Sequence, residues 1–264
     1  MDLGLKNKNA LITGGSQGIG FAIAKALAEE GCNVAIGARG RERLDHAAGD
    51  LSKLGVKAVP IAVDLTTEEG CRAFVDNAVA ALGGCDILVN NVGGTIPGTL
   101  ATFTAETWRD IIDCNLMSYV FTTKSVVPYL KKSKAGRILN ISGVSGRMLS
   151  PGAYSTTLSN AAIIGFTKLV ANDLAPYNVL VNSLAPGTVN TESWGPRAER
   201  MANMRGTTVD QVRKTLAGMS LLNRLAEPEE MGWMAAFLVS EKNSYMTGTT
   251  VESGGGRDKV PGMS

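Results

Sequence analysis

The feature that most constrains this chain is a glycine-rich stretch, ITGGSQGIGFAIAKAL (12–27), between an apolar strand pattern and an amphipathic helix pattern. Gly14, Gly18 and Gly20 suit a tight turn, a close backbone approach to a pyrophosphate and close helix–strand packing. The helix N-terminus would direct its free N–H groups and its positive dipole end at the phosphates. Such glycine spacing also arises by chance, but the preceding strand and following helix supply the required context. The stretch predicts dinucleotide binding.

Short apolar, β-branched runs alternate with helical patterns along the chain. This alternation predicts an α/β fold, a doubly wound parallel sheet of about seven strands with helices on both faces. The predicted strands lie at 9–13, 33–38, 58–64, 86–91, 137–142, 179–184 and 248–252. Neither a repeat nor a linker divides the sequence, so we expect a single domain over residues 1–264.

One segment, 186–219, interrupts the alternation with a Pro-Gly turn followed by a Trp and several Met and Arg residues. Long excursions of this kind inside a compact domain are typical of binding loops. The segment therefore predicts a substrate lid loop. Trp194, Met201 and Met204 are candidates to line an apolar pocket beneath it, and core packing is an equally good interpretation for the two Met residues.

The composition excludes several classes of protein. With 264 residues, 44% hydrophobic and 19% charged, the chain can bury one sizeable core. A net charge of +2 gives no reason to expect nucleic acid or a membrane surface as partner. No apolar run reaches the roughly 18 residues of a membrane span. The four cysteines are scattered singly, which predicts no metal site and a cytoplasmic protein with reduced thiols.

The end of the second predicted strand bears on the choice of dinucleotide. A carboxylate at this tip would accept hydrogen bonds from a ribose 2′-OH and favour NAD. The chain has Ala38 there, followed by Arg39, and no acid before Glu42. A guanidinium can pair with a 2′-phosphate through charge-assisted hydrogen bonds. The sequence therefore predicts NADP(H).

Over nearly its whole length the chain resembles the short-chain dehydrogenase/reductase family, particularly its ketoacyl-carrier-protein reductases and dihydrodiol dehydrogenases. TGGSQGIG (13–20) is similar to the family's cofactor loop, and NNVG (90–93) to its Asn-Asn-Ala-Gly element. APGTVNT (185–191) resembles the Pro-Gly segment over the nicotinamide, and Asn115 the active-site asparagine. The resemblance also implies a homo-oligomer, either a dimer or a tetramer. It implies these cofactor-binding residues: Gly14, Ser16, Gln17, Gly18, Ile19, Gly20, Arg39, Asp64, Leu65, Asn91, Gly93, Asn160, Pro186, Gly187 and Thr191.

The resemblance implies a catalytic Ser, a Tyr thirteen residues later and a Lys four residues beyond it. In the family the Tyr exchanges a proton with the substrate oxygen while the nicotinamide exchanges a hydride. Aligning the flanking segments without a gap puts Gly143, Thr156 and Asn160 at these three positions. An alternative alignment, anchored on Tyr154, puts Leu158 at the Lys position and needs a deletion upstream. The ungapped alignment is favoured because its spacing is self-consistent.

These replacements remove the usual proton-handling groups. Thr156 is a far weaker acid than a phenol, Asn160 carries no charge, and Gly143 has no hydroxyl. The remaining catalytic candidates are Tyr154, Ser142 and Asn115.

We therefore predict an atypical NADP(H)-dependent oxidoreductase that acts on a small carbonyl, alcohol or enone. Its proton would come from Tyr154, from water or from an acidic group of the substrate. Two alternatives stay open: a redox-neutral dehydratase, isomerase or cyclase, and a non-catalytic dinucleotide-binding protein.

Overall fold

The computed structural model describes residues 1–148, 153–192 and 194–256. Over these ranges the chain forms a seven-stranded parallel sheet with strand order β3-β2-β1-β4-β5-β6-β7. The strands are β1 (Asn9–Thr13), β2 (Asn33–Ala38), β3 (Ala58–Ala62), β4 (Ile87–Asn90), β5 (Arg137–Ile141), β6 (Leu180–Pro186) and β7 (Thr250–Ser253). The helices are α1 (Gly18–Glu29), α2 (Arg41–Ser52), α3 (Glu68–Leu82), α4 (Ala105–Ile112), α5 (Ser118–Leu130), α6 (Tyr154–Leu174), α7 (Trp194–Arg205), α8 (Val209–Ala217) and α9 (Pro228–Val239).

The predicted fold class and its seven strands are confirmed, with small differences at the strand ends. β3 stops at Ala62, because this edge strand pairs only with β2, which ends opposite it at Ala38. β6 continues to Pro186, because β7 pairs with it as far as Ser253. The tail 257–264 of the predicted single domain lies outside the described residues.

Helices cover both faces of the sheet, as the near-continuous apolar strands require. Alternate residues of β1 face opposite sides, so Ala10 and Ile12 pack on one face and Leu11 on the other. The first face is covered by α1, α2 and α9, and the second by α3, α5 and α6. In the described part of the chain no helix is both long and apolar enough to cross a membrane.

A buried chain of amide and hydroxyl groups fixes α5 and α6 to the centre of the sheet. Asn90 Nδ2, on β4, donates to Thr123 Oγ1 of α5 and to Asn140 Oδ1 of β5, at 3.0 and 2.9 Å. Asn140 Nδ2 then donates to Thr167 Oγ1 of α6 at 2.9 Å. Hydrogen bonds between buried groups are costly to break. They therefore fix the position of α6 along the sheet.

The segment expected to be a lid loop contains two helices, α7 and α8, joined by a short turn. Thr208 caps α8, since its side chain accepts a hydrogen bond from Gln211 N at 3.2 Å. The facing sides share a small apolar core formed by Ala198, Ala202, Val212 and Leu216. Within each helix the two buried residues lie four apart, an amphipathic spacing that the sequence analysis did not recognise. Position 193 lies outside the described residues.

Candidate active site

The carboxyl ends of β1 and β4 meet at the point where the strand order changes direction. From β1 the chain first builds the sheet outward through β2 and β3, and then in the opposite direction from β4. In doubly wound sheets the crevice at such a switch point binds ligands. The glycine-rich loop leaves β1 at this point, and α1 begins at Gly18.

A cavity of about 420 Å³ lies in this crevice and is called the dinucleotide cavity below. Its walls are the glycine-rich loop and the segments that follow β2, β3 and β4. Predicted cofactor-binding residues that line it are Gly14, Ser16, Gln17, Gly18, Ile19, Gly20, Arg39, Asp64, Leu65, Asn91, Gly93 and Thr191. The other three, Asn160, Pro186 and Gly187, line the adjoining cavity described below.

The floor of the dinucleotide cavity leaves no room for a side chain at position 20. A Cβ atom there would lie 2.5 Å from Asn91 Nδ2 and would also meet the carbonyl oxygen of Gly14. Asn91 Nδ2 is held in place because it donates to Thr13 O at 3.1 Å and to Gly14 O at 3.2 Å. At the neighbouring turn, Gly18 has a φ of +56°, which L side chains rarely adopt. The loop thus has the shape that a pyrophosphate needs.

Opposite charges lie at the outer end of this cavity. Asp64 Oδ1 accepts hydrogen bonds from the backbone N–H and the hydroxyl of Thr66, at 3.0 and 2.8 Å. These bonds, and secondarily the nearby Arg39, hold the pKa of Asp64 below its usual value. The carboxylate therefore remains charged, and the exposed guanidinium of Arg39 extends along the cavity wall.

A second cation at this end was missed by the sequence analysis. Arg43, in the first turns of α2, lines the dinucleotide cavity, and its Nη1 donates to Gln17 Oε1 in the glycine-rich loop. Helical spacing could not have linked Arg43 to Arg39, because α2 begins only at Arg41. Two guanidinium groups, those of Arg39 and Arg43, therefore line the outer end of the dinucleotide cavity.

A second cavity of about 380 Å³ adjoins the first and is called the substrate cavity below. Ile19, Asn91, Gly93 and Thr191 line both cavities, which therefore form one continuous trough. Its other walls come from the ends of β5 and β6, from α6 and from the N-terminal part of α7.

The three aromatic and methionine candidates of the lid segment have different positions. Trp194 lines the substrate cavity, as expected. Met201 packs against the small core between α7 and α8. Met204 is 81% exposed, so its assignment to the pocket was wrong. Neither Met residue is among the described residues that line the substrate cavity.

The structure brings Gly143, Thr156 and Asn160 together in the wall of the substrate cavity. Thr156 and Asn160 are one turn apart on α6 and therefore share a face of the helix. Asn160 Nδ2 donates to Ser145 Oγ at 2.9 Å. A Cβ atom at position 143 would lie 2.6 Å from Asn160 Nδ2. The three positions thus occupy one small volume, as the ungapped alignment expects.

Tyr154 and Leu158 lie on another face of α6. They are 37% and 49% exposed, and neither is among the described residues that line the substrate cavity. Tyr154 and Leu158 each lie two residues before a cavity-lining residue, Thr156 or Asn160. A step of two residues along an α-helix turns the side chain about 200° around the helix axis, so they face away from the cavity. A Lys at position 158 would therefore extend away from the trough.

Ser142 lies in the cavity wall, but its hydroxyl is engaged with the sheet. Its Oγ lies 2.7 Å from Ser183 Oγ on β6, which is fully buried, and 3.4 Å from Leu184 O. Because this hydroxyl already has hydrogen-bond partners in the sheet, it is less available to a substrate oxygen.

Asn115 lies in a π-helical turn, Asp113–Met117, between α4 and α5. The wider turn directs its side chain toward the segment after β4, and its Oδ1 accepts a hydrogen bond from Gly94 N at 2.6 Å. Single π turns inside helices occur frequently at functional sites. The contact holds the rim of the substrate cavity, and no sequence pattern predicted the π turn.

The substrate cavity contains few groups able to exchange a proton. Among the described lining residues the titratable side chains are Tyr119 and Arg197. Tyr119 is buried, burial raises its pKa, and its hydroxyl donates to Ile141 O at 2.8 Å. A guanidinium keeps its protons at physiological pH. The described lining residues therefore lack a general acid with a pKa near neutrality.

The fold and the trough define a dinucleotide-binding protein of the Rossmann type. A model of the family described as short chain dehydrogenase matches residues 8–202. The chain is 36% identical over 253 residues to human dehydrogenase/reductase SDR family member 4, covering 96% of this chain and 88% of the relative. The same identity holds with a 3-oxoacyl-acyl-carrier-protein reductase of Chlamydia muridarum, with 96% and 98% covered. The chain belongs to the short-chain dehydrogenase/reductase family.

Solved structures agree with this assignment. The L-sorbose reductase of Gluconobacter frateurii, determined in complex with NADPH and L-sorbose, superimposes with a TM-score of 0.94 at 32% identity. The match covers 98% of this chain and all of that one. A short-chain dehydrogenase/reductase from Mycobacterium marinum gives a TM-score of 0.89 at 31% identity, with 98% of each chain covered.

Proposed function

We propose that the protein is an NADP(H)-dependent oxidoreductase of small carbonyl, alcohol or enone compounds, with a proton donor unlike that of its family. One observation carries the proposal. A complete dinucleotide cavity opens directly into a substrate cavity whose described lining has no ordinary general acid. The relatives are reductases by name, which supports oxidoreductase chemistry for this chain.

The residues of the trough fit the proposed cofactor. The glycine-rich loop and the N-terminus of α1 would hold the pyrophosphate, and Asp64 and Leu65 would border the adenine. Pro186 and Gly187 would border the nicotinamide, since they line the substrate cavity. When bound, the cofactor supplies the hydride.

Thr156 and Asn160 are proposed to orient the substrate oxygen. Their side chains lie in the cavity wall, and the ungapped alignment assigns them to the positions of the family's Tyr and Lys. Each can hydrogen-bond a carbonyl oxygen, but neither releases a proton readily. Reduction of a carbonyl adds a hydride to carbon and a proton to oxygen. Because the described lining offers no acid, the proton is proposed to come from water or from an acidic group of the substrate.

NADPH should bind more tightly than NADH by about 1 to 3 kcal/mol, the usual contribution of hydrogen bonds to charged groups. Arg39→Ala should remove most of this difference, and Arg43→Ala a smaller part, since both guanidinium groups line the outer end of the cavity. The measurement is a fluorescence titration of each variant with NADPH and with NADH.

Arg41→Ala is the matched control. Arg41 lies between the two cations in sequence, but it pairs with Asp45 at 2.8 Å and does not contribute to the described lining of the cavity. Its loss should leave both affinities unchanged. Equal affinities of the native protein for NADPH and NADH would contradict the NADP(H) assignment.

Tyr154→Phe should leave turnover within about twofold of the native value, a change of less than about 0.5 kcal/mol in the activation free energy. The tyrosine is partly exposed and lies off the cavity. The measurement is kcat/KM for whichever carbonyl or enone the protein reduces. Thr156→Val serves as the comparison variant, and its kcat/KM is expected to be lower than that of the native protein. Loss of activity in Tyr154→Phe alone would make the displaced Tyr the acid.

An isotope-transfer experiment distinguishes the proposed oxidoreductase from the two alternatives, a redox-neutral enzyme and a non-catalytic dinucleotide-binding protein. The protein is incubated with deuterium-labelled NADPH and a panel of ketones, enones and alcohols, and the products are analysed by mass spectrometry. An oxidoreductase transfers deuterium to a product. A dehydratase, isomerase or cyclase converts a compound without transfer, and a non-catalytic protein binds NADPH and converts none. The homo-oligomer and the cytoplasmic location stay predictions.

A further inference from the structure

The hydroxyl of Ser145 is held in the wall of the substrate cavity by a neighbouring amide. Ser145 lines this cavity and is half-buried. Its Oγ accepts a hydrogen bond from Asn160 Nδ2 at 2.9 Å. A serine hydroxyl can donate one hydrogen bond as well as accept others. No described residue accepts a hydrogen bond from Ser145, so its proton is available to a ligand in the cavity.

Four other hydroxyl groups of this wall differ from that of Ser145, because each already lies against an oxygen atom of the protein. The pairs are Tyr119 with Ile141 O, Ser142 with Ser183 Oγ, Thr156 with Ala153 O and Ser159 with Ser155 O, at 2.8, 2.7, 3.3 and 2.7 Å. The contact of Thr156 is the longest, so it is the one most readily exchanged for a substrate. Ser145 needs no such exchange before it donates to a substrate oxygen.

Two glycines allow Ser145 to lie close to α6. Ser145 is the middle residue of a short 3-10 turn, Val144–Gly146, that follows β5. A Cβ atom at position 146 would lie 2.8 Å from the backbone carbonyl carbon of Asn160, and one at position 143 would lie 2.6 Å from Nδ2 of the same residue. Gly146 N also donates to Gly143 O at 2.9 Å and closes the turn. The backbone that carries Ser145 is therefore packed directly against α6.

We propose that Ser145 binds the carbonyl oxygen of the substrate through its hydroxyl proton, and that Asn160 positions this hydroxyl. Because Asn160 Nδ2 donates to Ser145 Oγ, the serine proton is left for an oxygen atom in the cavity. A hydroxyl that accepts one hydrogen bond is also polarised into a stronger donor. The inference rests on the proposed oxidoreductase function and adds a catalytic residue to it.

The role of Ser145 in the reaction is electrostatic. When a hydride adds to the carbonyl carbon, the π electron pair moves onto the oxygen, and a fixed hydrogen-bond donor stabilises the negative charge that develops there. Ser145 keeps its own proton throughout. The oxygen takes up a proton from water or from an acidic group of the substrate, so no further acid is required of the cavity wall.

The first measurement is kinetic and uses the compound of the deuterium-transfer panel that the native protein reduces fastest. Ser145→Ala should lower kcat by about 10²-fold, the lower end of the loss when one such donor is removed. The loss should fall on kcat more than on KM, because the hydrogen bond strengthens as charge develops. Ser145→Thr keeps the hydroxyl and should retain most of the activity. Ser145 is not among the described residues that line the dinucleotide cavity, so both variants should bind NADPH with native affinity.

Ser159→Ala is the matched control. Ser159 also lines the substrate cavity and directly precedes Asn160, but its hydroxyl is buried and donates to Ser155 O within α6. The same loss of a hydroxyl there should leave kcat within about twofold of the native value.

A double-mutant cycle tests the positioning role of Asn160. Asn160→Ala removes the amide that donates to Ser145 Oγ and should lower kcat. If Asn160 acts through Ser145, the variant that combines Ser145→Ala with Asn160→Ala should lose less than the product of the two single losses. Independent, multiplicative losses would contradict the positioning role.

The second measurement detects the hydrogen bond itself. The same compound, labelled with ¹³C at its carbonyl carbon, is bound to the full chain loaded with NADP⁺, which has no hydride to transfer. A hydrogen bond to a carbonyl oxygen weakens the C=O bond. Infrared difference spectroscopy should therefore find the C=O stretch at lower wavenumber in the native protein than in Ser145→Ala.

Two kinds of failure are distinguishable. Native kcat in Ser145→Ala, an equal loss in Ser159→Ala, or the same C=O stretch in native protein and Ser145→Ala would each overturn the role of Ser145 and leave the oxidoreductase assignment in place. A protein that transfers deuterium to no compound of the panel loses that assignment, and the role of Ser145 with it.

Discussion

Introducing the family's Ser, Tyr and Lys at the positions that the ungapped alignment assigns to them should raise NADPH-dependent reduction of simple ketones by about 10²- to 10⁴-fold, the usual contribution of a positioned general acid. The variant is Gly143→Ser, Thr156→Tyr, Asn160→Lys. A phenol at position 156 would lie in the cavity wall, and an ammonium one turn along α6 would stabilise its anion. The measurement is the initial rate of NADPH oxidation with a panel of ketones.

The single changes should do little, for two different reasons. Thr156→Tyr alone leaves the phenol near its reference pKa of about 10, so it is a poor donor at neutral pH. Gly143→Ser alone places a Cβ atom 2.6 Å from Asn160 Nδ2, which must then give up its hydrogen bond to Ser145. Asn160→Lys removes that amide and supplies the charge. The gain should therefore exceed the product of the single effects.

Leu158→Lys is the control that the rival alignment demands. This position is half exposed on another face of α6, so the change should leave the rate unaltered. If Leu158→Lys raises reduction while the triple variant stays folded, binds NADPH and remains inert, then the placement of the site is wrong.

Gly20→Ala should weaken NADPH binding at least tenfold and lower the free energy of unfolding by about 1 to 3 kcal/mol, as overpacked sites do. The added methyl group would meet Asn91 Nδ2 and the Gly14 carbonyl, which form the floor of the dinucleotide cavity. One of them must move, and the loop then loses its fit to a pyrophosphate. The measurements are NADPH titration and urea unfolding followed by circular dichroism.

Gly49→Ala provides the matched control for this substitution. Gly49 lies in α2, where a Cβ atom would meet nothing within 4 Å, and its φ is not positive. The same change there should stabilise the protein by about 0.5 to 1 kcal/mol, because alanine favours helix over glycine. Native-like NADPH affinity in Gly20→Ala would show that the floor of the cavity adapts, contrary to this expectation.

Much of the fold was predictable, because its signals are local. Each strand is a short β-branched run bounded by turns, and burial on both faces keeps these runs almost wholly apolar. The glycine-rich loop was predictable for a similar reason, since a strand, a turn and a helix N-terminus are adjacent in sequence. These local signals do not give the exact end of a strand. The ends of β3 and β6, for example, depend on how far the neighbouring strands β2 and β7 extend.

The parts of the site that escaped prediction depend on side-chain direction in three dimensions. Spacing alone allowed either Tyr154 or Thr156 to face the trough, and the rotation of α6 decides between them. That rotation is set by distant packing and by the bond from Asn140 to Thr167. The place of Arg197 in the wall of the substrate cavity likewise depends on how α7 packs on α8.

The short distance between Gly143 and Asn160 also couples substitutions at these two positions. With Asn160 in place, a side chain at position 143 meets the end of its amide, which has to shift before a serine fits. The three atoms nearest to such a Cβ atom all belong to Asn160. The effect of a serine at position 143 therefore depends on the residue at position 160, and the two substitutions are expected to be epistatic.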